Sequence, residues 1–245
     1  MSTMRNFFRR FKGLEHALAP ARRLLRGLPP VTQTAITHAE IRERVGIPNP
    51  VILEIGCNDG RDTLQFLQVF EQPCVYCFEP DPRAAKRFQD AVGDRDEVQL
   101  FELALGHKQG QTAFHMSSGK ESEEWPEGWD FSGSIRKPAK HLEVHPWCRF
   151  DRVISVEITT LDKWCAEQGV EKIDFIWMDV QGAEIDVIRG GSAALAKTRF
   201  LYTEYSDLEL YAGQANLIDL LKALNGFQVI TRYPHDILLR NKYLN

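Results

Sequence analysis

The stretch Val51-Ile52-Leu53-Glu54-Ile55-Gly56-Cys57-Asn58-Asp59-Gly60 constrains this chain more than any other. Five residues with four apolar side chains run into a glycine turn, and Thr63-Leu64-Gln65-Phe66-Leu67 then reads as a helix. A buried strand that hands its end to a tight turn at a helix N-terminus predicts a parallel sheet with a ligand seat on the turn. Gly56 and Gly60 let backbone approach a ligand, and Asn58 is one of the few other residue types that tolerates left-handed backbone. Nineteen residues past Gly60, Cys74-Val75-Tyr76-Cys77-Phe78 ends on Glu79. A doubly wound sheet places there the acid that takes a ribose hydroxyl pair. The dinucleotide pattern G-x-G-x-x-G fails, because its second and third glycines fall on Asn58 and Arg61.

The βαβ rhythm continues from that start. Strand 51–55, helix 61–70, strand 74–78, helix 82–92 and strand 98–103 alternate, which predicts helices on both faces of the sheet. Glu102 and the Leu103 amide, at the end of the third strand, are candidates for reading an adenine edge. Gln111–Met116 reads as an extra strand. A long polar stretch from Ser117 to about Phe150 follows, carrying Trp125, Trp129, Phe131 and Trp147. An ordered substrate lid over residues 115–152 is the favoured reading, and tryptophans that simply pin the loop to the body are the alternative. Val153–Ile158 reads as an added strand, and Thr159 with Asp162 has capping-box spacing for the next helix.

A second landmark is Ile173-Asp174-Phe175-Ile176-Trp177-Met178-Asp179-Val180-Gln181-Gly182-Ala183-Glu184. By chain order this strand neighbours the first across the switch point, which sets Asp179 beside Gly56–Gly60. A fifth strand, Phe200–Thr203, ends at Glu204. A helix at 214–224 and strands at Phe227–Thr231 and Ile237–Leu239 complete the chain.

Charge and cysteines narrow the setting. Net charge is −4, but residues 1–30 hold seven basic residues and one acid, leaving −10 on the remaining 215. An acidic body argues against a nucleic-acid partner. Residues 4–18 carry Phe7, Phe11, Leu14 and Leu18 on one helical face, with Arg5, Arg9, Lys12 and His16 opposite. Three readings stay open for residues 1–30: a basic anchor on a membrane or partner through 4–28, an organelle presequence, or a helix packed on the domain. Five cysteines suit free thiols in a reducing, cytoplasmic compartment, with peripheral contact at the inner membrane surface as a variant. Cys74-x-x-Cys77 lacks a second pair to hold zinc and reads as strand core.

Three stretches together resemble the FkbM family of S-adenosylmethionine-dependent methyltransferases. Glu54-Ile55-Gly56-Cys57-Asn58-Asp59-Gly60 is similar to that family's D-x-G-A-N-x-G turn, and Phe78-Glu79-Pro80 to its F-E-P. Thr160-Leu161-Asp162 with Asp179–Glu184 resembles its T-L-D and D-x-E-G-A-E segments. Cys57 departs mildly from a small alanine, whereas Gln181 replaces an acid. The resemblance implies a Rossmann-like class I methyltransferase domain over residues 31–245, with a seven-stranded, mostly parallel sheet whose last strand is antiparallel. It also implies O-methylation of a sugar, glycan or natural-product hydroxyl. The expected cofactor residues are Glu54, Gly56, Asn58, Gly60, Glu79, Glu102, Leu103 and Asp179, and the catalytic candidates are Asp179, Glu204 and His235. No metal is expected, since Asp179 and Glu204 lack a third ligand. The rival readings are a non-catalytic scaffold that kept the fold and a nicotinamide-dependent oxidoreductase.

Overall fold

The computed structural model describes residues 27–32, 35–119 and 128–244. The basic helix read over residues 4–18 lies outside them. A short helix α1 (His38–Val45) opens on a capping box between Thr37 and Glu40. The βαβ series is then β1 (Val51–Ile55), α2 (Arg61–Val69), β2 (Cys74–Phe78), α3 (Pro82–Val92) and β3 (Val98–Phe101). After an excursion come α5 (Leu161–Glu167), β7 (Ile173–Met178), α6 (Glu184–Arg189), α7 (Ser192–Ala196) and β8 (Thr198–Glu204). Helix α8 (Leu217–Ala223), β9 (Phe227–Arg232) and β10 (Asp236–Asn241) finish the fold.

The seven-stranded sheet has the order β3-β2-β1-β7-β8-β10-β9, parallel except for β10. Only Tyr233, Pro234 and His235 join β9 to β10, and so short a link allows only an antiparallel return. Alternate side chains feed two cores. Leu53 and Ile55 face Trp164, Val187 and Leu220, from the helices α5 to α8. Ile52 faces Ile41, Phe66 and Phe88, from α1 to α3. Burial on both faces accounts for the near-continuous apolar runs of β1 and β7.

The excursion builds a second sheet. Strand β3 stops at Phe101, and Glu102 and Leu103 turn the chain into β4 (Ala104–Leu105), which leaves for another partner. Strands β5 (Gly110–Ser118) and β6 (Arg149–Thr159) pair antiparallel, with β4 parallel to β6. The expected lid is therefore shorter than 115–152, because both its ends belong to paired strands. Its described middle, residues 128–148, contains α4 (His141–Val144).

The capping-box expectation needs correction. Thr159 is the last residue of β6, paired with Leu105, so Thr160 caps α5 instead, accepting from the Lys163 N–H. Asp162 turns away and caps α7, accepting from the Ala193 and Ala194 N–H groups at 3.1 and 2.8 Å.

Candidate active site

The carboxyl ends of β1, β2 and β7 meet at a cleft of about 640 Å³. Its floor is the turn after β1. Gly56 has φ 88°, and its amide and that of Cys57 both donate to the Phe78 carbonyl. A Cβ at Gly56 would run into the Asp179 carbonyl oxygen, so this position brings β1 and β7 together where the cleft begins. Asn58, at φ 44°, turns its N–H onto Glu79 Oε2 at 3.0 Å, while Asp81 N–H takes Oε1 at 2.7 Å. Glu79 is buried on the cleft wall, and burial pushes its carboxyl up to about 8. Phe78, Leu103, Leu105 and Val180 supply the apolar part of the wall.

The far end of the cleft is acidic. Asp179 opens onto it but is walled by protein, which raises its carboxyl above the ordinary range. Gln181, held at φ 51°, donates from Nε2 to Asp179 Oδ1 at 2.7 Å and to Glu204 Oε2 at 3.4 Å. Its Oε1 accepts from the buried Tyr211 hydroxyl at 3.0 Å, and its backbone carbonyl accepts from Ser134 Oγ. Burial first, and then the neighbouring charge of Asp179, raises the Glu204 carboxyl well above the ordinary range. Glu184 brings a third carboxylate, with one oxygen of each acid within 4.8 Å of the others. Its Oε1 already accepts from the Val180 and Gly182 N–H groups, and burial pushes it up to about 7.

The excursion roofs the cleft with Asp130, Phe131, Gly133, Ser134 and Ile135. Asp130 pairs with Arg87 of α3, Arg83 donates to the Ser117 carbonyl, and Arg61 lies over the Phe131 ring. Trp129 packs on Phe131 and Trp147 and donates to Ser132 Oγ, so these two tryptophans pin the roof to itself.

Of the residues expected from the sequence, Gly56, Asn58, Glu79, Leu103 and Asp179 line the cleft, and Glu204 joins through Gln181. Four others stand off its wall. Glu54 is buried on the opposite face of the sheet, hydrogen-bonded to Thr63 of α2, with its carboxyl raised well above normal by burial. Gly60 caps α2 and packs on α3, where a Cβ would meet Val92 at 2.6 Å. Glu102 is exposed and takes a hydrogen bond from Gln89. His235 sits exposed in the β9–β10 turn. Sequence reasoning missed Asp130, Tyr211 and Glu184. Only Glu184, five residues past a strand-end acid, had a usable spacing signal.

Acceptor oxygens beside an apolar slot fit an adenosyl group. Asn58 Oδ1 and Asp130 Oδ1 are both buried on this wall with no hydrogen-bond partner among the described residues, as a ligand rich in donors requires. The sheet order and this cleft define a Rossmann-like class I methyltransferase. The Methyltransferase FkbM domain matches residues 54–229, and the chain belongs to that family. It is 48% identical to the 2-O-methyltransferase NoeI of Sinorhizobium fredii, over 91% of this chain and 92% of that protein. It is 28% identical to the AMB antimetabolite synthetase AmbE of Pseudomonas aeruginosa, over 79% of this chain but 10% of that much longer protein. Among solved structures, Aeropyrum pernix fibrillarin with natively bound S-adenosyl-L-methionine is 13% identical, at a TM-score of 0.42, with 82% of this chain and 72% of that one covered. The chain is an S-adenosylmethionine-dependent O-methyltransferase.

Proposed function

We propose that the acceptor is a sugar or glycan and that the methyl goes to a 2-hydroxyl, with Asp179 taking the proton. The observation that supports this most is the Asp179–Gln181–Glu204 unit opening on the same cleft as Glu79. S-Adenosylmethionine supplies the electrophilic methyl when bound, so the protein's task is to hold the acceptor oxygen and move its proton. Glu79 takes the ribose hydroxyls, Asn58 faces the methionine part, and Leu103 and Leu105 flank the adenine. Gln181 donates to Asp179, which favours its ionised form and holds the carboxylate in place. A hydroxyl proton then has a carboxylate to go to at the acidic end of the cleft.

The test is transfer of tritiated methyl to a panel of free sugars and oligosaccharides, with linkage analysis of the product. Label is expected on a 2-hydroxyl. Asp179→Asn is expected to bind S-adenosylhomocysteine but to lose about 10²–10⁴-fold in turnover. Methylation at another position overturns the regiochemistry. Full turnover in Asp179→Asn removes that residue from proton transfer.

A further inference from the structure

We propose that Asp130 is a cofactor-contacting residue, its Oδ1 accepting a hydrogen bond from a ribose hydroxyl of S-adenosylmethionine beside Glu79. This rests on the seating of the ribose at Glu79 argued above. Asp130 is 3% exposed and lies on the same cleft wall as Glu79, reached from the roof rather than from the sheet. Its two oxygens differ. Oδ2 pairs with Arg87, whereas Oδ1 is shut off from solvent with no partner among the described residues. A buried carboxylate oxygen without a donor is costly, and it is relieved where a ligand brings one.

The position selects the donor. The charges that act on Asp130 come from Arg87, Asp81 and Arg83, and Asp130 in turn acts on Glu79. Glu79 and Asp81 lie at the junction between β2 and α3, and Arg83 and Arg87 on α3 itself. Each oxygen of Glu79 already takes one backbone N–H, which leaves it one acceptor site apiece, and Asp130 Oδ1 adds a further one on the same wall. A ribose brings two hydroxyl donors to that wall.

Calorimetric titration of S-adenosylhomocysteine and its 2′-deoxy and 3′-deoxy analogues tests the assignment, using wild type, Asp130→Ala and Arg87→Ala. Wild type is expected to lose affinity when either hydroxyl is missing. Asp130→Ala is expected to bind the parent ligand about tenfold or more weakly and to become indifferent to loss of one hydroxyl while still sensing the other. Arg87→Ala is expected to keep both sensitivities. The proposal is overturned if Asp130→Ala discriminates both analogues as wild type does. It is equally overturned if Asp130→Ala and Arg87→Ala weaken all three ligands by one common factor, which marks a latch on the roof and nothing more. Asp130→Leu, of similar length and unable to accept a hydrogen bond, is read by the same criteria if the alanine variant melts too low. A Glu79→Gln titration that leaves all three affinities unchanged would sink the ribose seat itself, independently of the Asp130 result.

Discussion

Asp179, Glu184 and Glu204 crowd into one corner of the cleft, and what keeps them usable is a neutral residue. The Gln181 amide donates to two of the acids, accepts from Tyr211 and is anchored by Ser134. Its donation favours the ionised form of Asp179, so removing it raises the Asp179 pKa. Gln181→Met keeps the length of the side chain and loses the amide. We expect the acidic limb of its pH–rate profile to move upward by about one unit, with activity lost on that limb and recovered as pH rises. An unmoved limb would show that Gln181 does not act on the base. The sequence marks Gln181 as a departure from an acid, but its partners come from the roof, β8 and the segment after β8, which no local spacing joins. Asp130 was illegible for the same reason, since nothing in Trp129-Asp130-Phe131 says that Arg87 holds one oxygen and leaves the other bare.

The strands of the main sheet are legible because their apolar runs are bounded by turns and acids, as with Val51–Ile55 before Gly56 and Ile173–Met178 before Asp179. Where two neighbouring residues offer the same chemistry, only packing decides between them. Thr159 and Thr160 both precede a polar residue by three, and pairing of β6 with β4 uses up Thr159. Asp162 is the more consequential case, because it ties α5 to the start of α7 across thirty-odd residues. Asp162→Ala is expected to cost about 1–2 kcal/mol, and Thr160→Ala nearer 0.5–1, in denaturant melts. Equal effects would mean that the link between the two helices adds nothing. Helix α7 itself escaped the sequence because five residues, four of them alanine or serine, have too little periodicity to read.

Across the whole molecule, buried carboxyls tilt stability toward acid. Burial lifts Glu79 to about 8, Glu184 to about 7 and the half-buried Asp236 to about 6. Each folded-state value lies above its unfolded one, so the native state binds more protons in this range. The stabilisation is complete below the unfolded values and is lost as pH climbs through the folded ones. The free protein is therefore expected to melt at progressively lower temperature between pH 6 and 8, each such group contributing up to about 1.4 kcal/mol per pH unit within its window. Glu184→Gln keeps the oxygen that serves Val180 and Gly182, so it should flatten the curve near pH 7 without a large loss at pH 6. A wild-type melting curve level over that interval would contradict the account.

The reversed strand β10 also orders events during synthesis. Strands β2, β3, β7 and β8 each find a neighbour among residues that have already left the ribosome, whereas β9 docks only through β10, made after it. Until then the edge at Leu201, Tyr202 and Thr203 is bare, and a nascent chain stalled at that stage presents a template for pairing with other chains. Glu204 gains its cross-strand neighbour Asp236 only at that step. The acidic corner is thus among the last parts of the protein to be assembled.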